Sequence, residues 1–229
     1  MAYDFRPVNS AVYTDSPPVT SAPFTFSCWF KFLQWQNTNE VMSLGDKDSS
    51  GLEHWLLRFF GGSSGSPGDE RVEFRVSDLT TTVAYSPEIT VDFGEWTHLA
   101  VVETSAVNHR AFINGTGGTP STSNKSPDNT DRFAIGNTIG LTQKCYGAVA
   151  EVGVWNVALD AADIEQLSKG KRPSEFPGGL VAYLKLGDDF WDEISQNYYN
   201  SSGTPTHHDD DPPMLDNVTS SKFTLGINL

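Results

Sequence analysis

The sequence predicts an all-β fold, an antiparallel β-sandwich with one short surface helix near residues 160–169. Three observations carry this reading. Apolar residues recur with a period of two in 24–32, further short strand-like runs follow along the chain, and a single segment has the capping and apolar spacing of a helix.

Taken in order, residues 1–23 are rich in Pro, Ser and Thr, with Pro17, Pro18 and Pro23, and read as an extended N-terminal arm. Next, Phe24, Phe26, Cys28, Phe30 and Phe32 alternate with Thr25, Ser27, Trp29 and Lys31, the pattern of a half-buried strand. Strands are expected at 40–45, 54–60, 71–77, 81–85 and 96–103. In 71–77, Val72, Phe74 and Val76 alternate with Arg71, Glu73 and Arg75, so one face is wet and the sheet antiparallel. The Gly/Ser-rich run 61–68 is a loop. A strand at 109–113 ends in Asn114-Gly115, two residues that tolerate positive φ and so mark a hairpin. A polar loop at 116–131 leads to strands at 132–136 and 146–155, the latter carrying Gly147 and Gly153, which permit close packing or a bulge. Asp160 caps the helix, Asp163 sits on the favourable end of its dipole, Leu159 and Ile164 form a staple and Gly170 stops it. Its narrow stripe of Ile164 and Leu167 makes it a surface helix. A strand at 180–186, a polar acidic turn at 207–213 and a final strand at 222–228 complete the chain.

The 229 residues fit one large all-β domain, with arm 1–23, sandwich 24–190 and a C-terminal extension 191–229 packed on it. With 14 Phe, 7 Tyr and 6 Trp, a core forms without staples. The 29 acidic and 15 basic residues give a net charge of −14, which repels nucleic-acid phosphates and anionic membranes. No run approaches the roughly 20 apolar residues of a membrane span, and the first residues show no basic segment followed by an apolar one, so no signal peptide is expected. Cys28 and Cys145 are expected as free thiols, Cys28 on the apolar face of its strand.

Three stretches together carry a family resemblance: Pro23-Phe24-Thr25-Phe26-Ser27-Cys28-Trp29-Phe30; Gly94-Glu95-Trp96-Thr97-His98-Leu99-Ala100 with Phe112-Ile113-Asn114-Gly115; and Tyr146-Gly147-Ala148-Val149-Ala150-Glu151-Val152-Gly153-Val154-Trp155, running on to Leu159 and the helix. In this order, over 24–186, the chain resembles the laminin-G-like and pentraxin-like branch of the concanavalin A-like jelly rolls. The resemblance implies a jelly-roll sandwich over 24–190, with calcium or glycan bound at its loops.

For calcium, the positions matched are Asp46 and Asp48, two carboxylates two residues apart in a turn that can converge on a cation. Where pentraxins complete that site, this chain has Asn137, Thr138 and Ile139, which lack carboxylates. The family disulfide is also missing, since the partner position of Cys28 falls near Leu99 and Ala100. His207, His208 and Asp209 to Asp211 offer ligand atoms, but adjacent residues cannot all face one ion. Trp96 and Trp155 are expected to pack on the sheet, and His98 to be packed with one hydrogen bond.

Nothing in the sequence supplies catalytic machinery. Glycosidases of this superfamily place carboxylates as E-x-D-x-x-E on one strand, and here Glu151 is followed by Gly153 and Asn156. The chain is therefore expected not to be an enzyme but a surface binding or assembly protein. One reading is a decoration protein of a virus (phage) particle, made in the cytoplasm and placed on the virion surface. Its partner would be a capsid protein or a second copy of the chain, with the terminal segments as docking arms. The alternative is a glycan- or receptor-binding adhesion module, with calcium as its cofactor and the loops 46–51 and 61–68 as its site.

Overall fold

In a computed structural model, residues 2–7, 9–49, 52–61 and 69–215 are described. The expected strand at 222–228 and nearly all of the Gly/Ser-rich loop lie outside them. The first half of the chain forms β1 (Ala2–Asp4), β2 (Ala11–Thr14), β3 (Phe24–Phe32), β4 (Thr38–Gly45), β5 (Glu53–Gly61), β6 (Glu70–Asp78), β7 (Thr80–Tyr85) and β8 (Trp96–Ser105). The second half adds β9 (Asn108–Ile113), β10 (Thr116–Gly117), β11 (Arg132–Ile135), β12 (Gly147–Trp155), helix α1 (Ala161–Ser168), β13 (Leu180–Leu184), β14 (Trp191–Asp192), β15 (Asn197–Tyr198), β16 (Asn200–Ser202) and β17 (Thr206–His208).

Two antiparallel sheets face each other, as the alternating patterns predict. The first runs β10-β9-β8-β3-β12-β1-β17, with β13 also on β12; the second runs β16-β2-β11-β4-β5-β6-β7. Side chains at alternate positions meet between them. Phe24, Phe26, Phe30 and Phe32 of β3 share one buried core with Trp55, Leu57 and Phe59 of β5 and Val72, Phe74 and Val76 of β6. Each such ring contributes roughly 1.5–3 kcal/mol by leaving water. The other face of β3 is buried too, which the half-buried pattern does not foresee. Thr25 Oγ1 donates to Val157 O and accepts from Leu159 N, each at 2.9 Å, so the segment after β12 crosses over it. Trp155, Ile164 and Leu167 then pack against Ala100, Val102 and Phe112, seating α1 on the sheet as the surface helix expected. Asp160 Oδ1 accepts from Asp163 N at 2.9 Å, the predicted cap.

The terminal segments differ from the sequence reading. Within the arm 1–23, β1 pairs with β12 and β17, and β2 with β11 and β16, so the sandwich begins before residue 24. The stretch read as a polar turn contributes β17 at His207 and His208. These strands are three or four residues long and their partners are remote in sequence, so local periodicity carries no trace of them. Among the described residues, no helix is long and apolar enough to cross a membrane.

One buried polar network ties the 116–131 loop to the core. Trp55 Nε1 donates to Glu103 Oε1 at 3.2 Å, His109 Nδ1 lies 2.5 Å from Glu103 Oε2, and His109 Nε2 lies 2.8 Å from Ser123 O. Both ring nitrogens face acceptors, so the pair holds a proton between them. Burial works against the charged ring, yet the hydrogen bond to Glu103 outweighs it and His109 is raised above the ordinary histidine value; burial raises Glu103 as well.

Candidate functional site: a groove on the second sheet

The outer face of the second sheet holds a constellation of polar side chains. On β5, His54, Leu56 and Arg58 point outward; opposite them on β6 stand Ser77, Arg75 and Glu73. The 138–143 segment rises beside this face and encloses a groove of about 690 Å³, within the range of small-molecule sites. Ser77, Thr81, Thr138 and Thr142 supply hydroxyls to its lining, and the exposed Leu52 and Leu79 supply apolar surface.

Its charges are arranged unevenly. Arg58 grips Glu40 with two nitrogens, Nε to Oε2 at 3.0 Å and Nη2 to Oε1 at 2.6 Å, and its Nη1 lies 3.7 Å from Glu73. Arg71 takes the remaining acids, Glu73 at 3.3 Å and Glu88 at 2.9 Å. Arg75 is left over. Its cross-strand neighbours are Leu56 and Val83, so no carboxylate stands opposite it, and among the described residues its side chain makes no ion pair or hydrogen bond.

The predicted cation ligands lie at the end of this groove. Asp46 and Asp48 are brought together, and a third carboxylate joins them, with ligand atoms within 4.8 Å of one another. The newcomer is Asp131, just before β11, rather than a residue of 137–139. A cation of the chain's own already bridges two of the three, Asp131 and Asp48. Lys47 Nζ donates to Asp131 Oδ2 and, at 3.2 Å, to Asp48 Oδ2; Lys47 N donates to Asp131 Oδ1 at 2.9 Å, and Asp48 N to Asp46 Oδ1 at 2.8 Å. The hydrogen bonds to Asp131 and Asp48 raise the Lys47 pKa. Burial acts to raise Asp131, but its bonds from Lys47 outweigh burial and hold it below the usual carboxylate range. Calcium takes six to eight oxygens. Four of the six carboxylate oxygens here accept hydrogen bonds, two of them from Lys47 Nζ, whose charge competes with that of a bound cation.

A second cavity, of about 370 Å³, lies on the other sheet beside Glu151. The bulge in β12 falls between Ala150 and Gly153, and it holds Glu151 at φ 52°, an uncommon conformation for a side-chain-bearing residue. Here β12 changes partner from β1 to β13, and the carboxylate turns to Tyr183 and Arg172. Tyr183 Oη donates to Oε2 and Arg172 Nη1 to Oε1 at 2.8 Å. Burial raises the Glu151 pKa against the pull of these partners. Lys185, also on the wall, pairs with Glu193 at 2.5 Å. Asp188, Asp189 and Asp211 complete an acidic lining around Trp191.

The remaining singled-out residues serve packing. His98 is buried, makes one side-chain hydrogen bond, to Ser27 Oγ at 2.8 Å, and is pushed down to about 3 by burial, so it is neutral near pH 7. Trp155 donates to Phe176 O at 2.9 Å under α1, and half-buried Trp96 packs beside Ala2, Ala148 and Ala150. Cys28 and Cys145 are free and buried, and Cys28 lies opposite Leu99, as the resemblance implies. His207 Nδ1 lies 3.2 Å from Asp209, while Asp210 pairs with Lys31. Among the described residues, 207–211 form no convergent metal-ligand set.

Comparison with known proteins agrees with the fold. A carbohydrate-binding-described protein of Bacteroides ovatus is 20% identical with a TM-score of 0.62; the alignment covers 91% of this chain, which spans 60% of that protein's length. A heptameric pentraxin of Limulus polyphemus is 16% identical with a TM-score of 0.52, covering 72% of this chain and 83% of its own. The CBM40 domain of a Ruminococcus gnavus sialidase, bound to α2,3-sialyllactose, is 14% identical with a TM-score of 0.53, covering 65% and 84%. No curated protein matches the sequence. The laminin-G-like family model (Laminin_G_3) matches residues 7–165, more than half of the chain, and with the sandwich above it shows that the chain belongs to that family of the concanavalin A-like lectin/glucanase superfamily.

Proposed function

We propose that this protein is a glycan-binding module whose site is the groove on the outer face of the second sheet. The observation that carries the reading is the groove itself: hydroxyl, amide and apolar side chains share a concave wall of three strands and a loop, with one cation, Arg75, that has no side-chain partner among the described residues. Sugars present this mixture, hydroxyls at the ring edge and C–H groups on its faces. The sialyllactose bound by the Ruminococcus gnavus domain and the carbohydrate-binding description of the Bacteroides ovatus protein support it.

Binding without turnover is the simpler chemistry for this chain. Glu151 is a carboxyl raised toward the range of a general acid, but both its oxygens are engaged by Tyr183 and Arg172. Calcium at Asp46, Asp48 and Asp131 would require Lys47 to leave, so we propose that glycan binding proceeds without calcium. The particle-decoration reading draws no support from the terminal segments it assigns to docking, because 2–4, 11–14, 200–202 and 206–208 are paired within the sandwich.

A glycan array run with calcium and with chelator tests the proposal. The expected result is a signal in both, abolished by Thr142→Trp, which fills the groove from its exposed wall, and unchanged by Asp189→Ala in the Glu151 cavity. No signal for any saccharide, or a signal lost only with Asp189→Ala, would overturn it.

A further inference from the structure

Resting on that reading of the groove, we infer that its ligand is an acidic saccharide bearing a carboxylate, and that Arg75 is the residue that recognises it. Three arginines line up on the outer face of β5 and β6, and the carboxylates within their reach are Glu40, Glu73 and Glu88. Arg58 and Arg71 engage all three. Arg75 stands in register between Leu56 and Val83, apolar residues that offer its guanidinium no acceptor.

This placement is unexpected in a chain of net charge −14, where a stray cation has 29 acidic residues to find. It is also only partly exposed, at the middle of a strand paired on both sides rather than on a loop. A guanidinium is a planar fork that matches a carboxylate with two parallel hydrogen bonds. The other positive groups that line the groove do not compete for the role: Lys47 is held by Asp131 and Asp48, and Arg58 by Glu40. A single open positive charge balances a single negative one, which favours a sugar carboxylate over a doubly charged phosphate. The field of the whole chain disfavours polyanions further. Ser77 and Thr81 line the groove beside it; Ser77 Oγ donates to Leu52 O at 2.8 Å and accepts from Thr81 Oγ1 at 3.4 Å, which leaves oxygen lone pairs on this wall for the hydroxyls of a sugar.

The test uses the intact protein on an array of sialylated, uronate-bearing, sulfated and neutral oligosaccharides, followed by calorimetry of the strongest carboxylated binder and its carboxyl-reduced counterpart. The carboxylated form should bind about tenfold or more tighter than the reduced one, the scale of one charge-assisted bidentate contact. Arg75→Met, which keeps an unbranched chain of similar length between Leu56 and Val83, should abolish that preference while leaving the unfolding temperature in place. Arg75→Lys should retain only part of it. Equal affinity for both forms, lost with Thr142→Trp, would overturn the acidic-ligand inference and leave the groove reading standing. A preference for sulfated sugars, or a carboxylate preference that survives Arg75→Met, would overturn the inference in the same way. Silence across the array would overturn both.

Discussion

The groove on the second sheet and the cavity beside Glu151 are built from similar parts and arranged in opposite ways. Each has arginine, lysine, carboxylates and a wall supplied by a sheet. In the Glu151 cavity the charges close on one another: Arg172 and Tyr183 bind Glu151, and Lys185 binds Glu193. In the groove, Arg58 and Lys47 are likewise closed, but Arg75 is not. A closed network stabilises the fold and has little left to offer a ligand. An open charge contributes little to the fold and keeps its hydrogen-bonding capacity for something that arrives. Titration shifts alone would have pointed to Glu151, whose pKa is raised; hydrogen-bond partners point to Arg75.

That contrast predicts a ranking of substitutions. Glu151→Ala should be the most damaging, by about 3 kcal/mol, because it leaves the Tyr183 hydroxyl and the Arg172 guanidinium without their shared partner; the urea unfolding midpoint reads this, and sugar binding by the surviving folded protein should be unchanged. His109→Gln should cost about 2 kcal/mol at pH 6, where it removes a hydrogen bond to a charged group. The raised folded pKa of His109 fixes the sign of the pH dependence. The stabilisation is fully present below the ordinary value of 6.5 and is lost as pH rises through the folded value, so wild type and variant should converge in stability at alkaline pH. A constant gap across that window would contradict the assignment of the shared proton.

Smaller effects sharpen the picture of the Asp46–Asp48–Asp131 cluster. Wild type should show no thermal shift in 10 mM calcium. Lys47→Ser removes the internal cation and leaves three convergent carboxylates, so it should gain about 1 kcal/mol in 10 mM calcium if its affinity is in the millimolar range of weak extracellular sites, a rise of roughly 2–4 °C in Tm. A shift of that size in wild type would mean that calcium displaces Lys47 unaided. Smallest of all should be the stability change in Arg75→Met, within about 0.5 kcal/mol, since the group it removes touches no partner in the fold.

The parts of the molecule readable from sequence are those fixed by neighbours in the chain. The alternation from Phe24 to Phe32 gives a strand and its inward face; Asn114 and Gly115, at φ 46° and 79°, give the hairpin; Asp160 gives the helix start. The parts not readable depend on partners far away in sequence. Asp131 joins Asp46 and Asp48 across more than eighty residues, and nothing in the polar loop before β11 marks it as a companion. Arg75 looks like any outward residue of a wet strand. Its isolation follows from the register that sets it against Leu56 on one side and Val83 on the other. Gly147 and Gly153 signal that β12 can bulge, but only the exchange of β1 for β13 along its edge explains why the bulge turns Glu151 toward Tyr183.

Amide NMR titration with the strongest glycan from the array tests the comparison most directly, because it maps contact without assuming either site. The account predicts chemical-shift changes clustered on the outer residues of β5, β6 and β7 and on 138–143, centred on Arg75. Changes clustered instead around Glu151, Lys185 and Trp191 would contradict it.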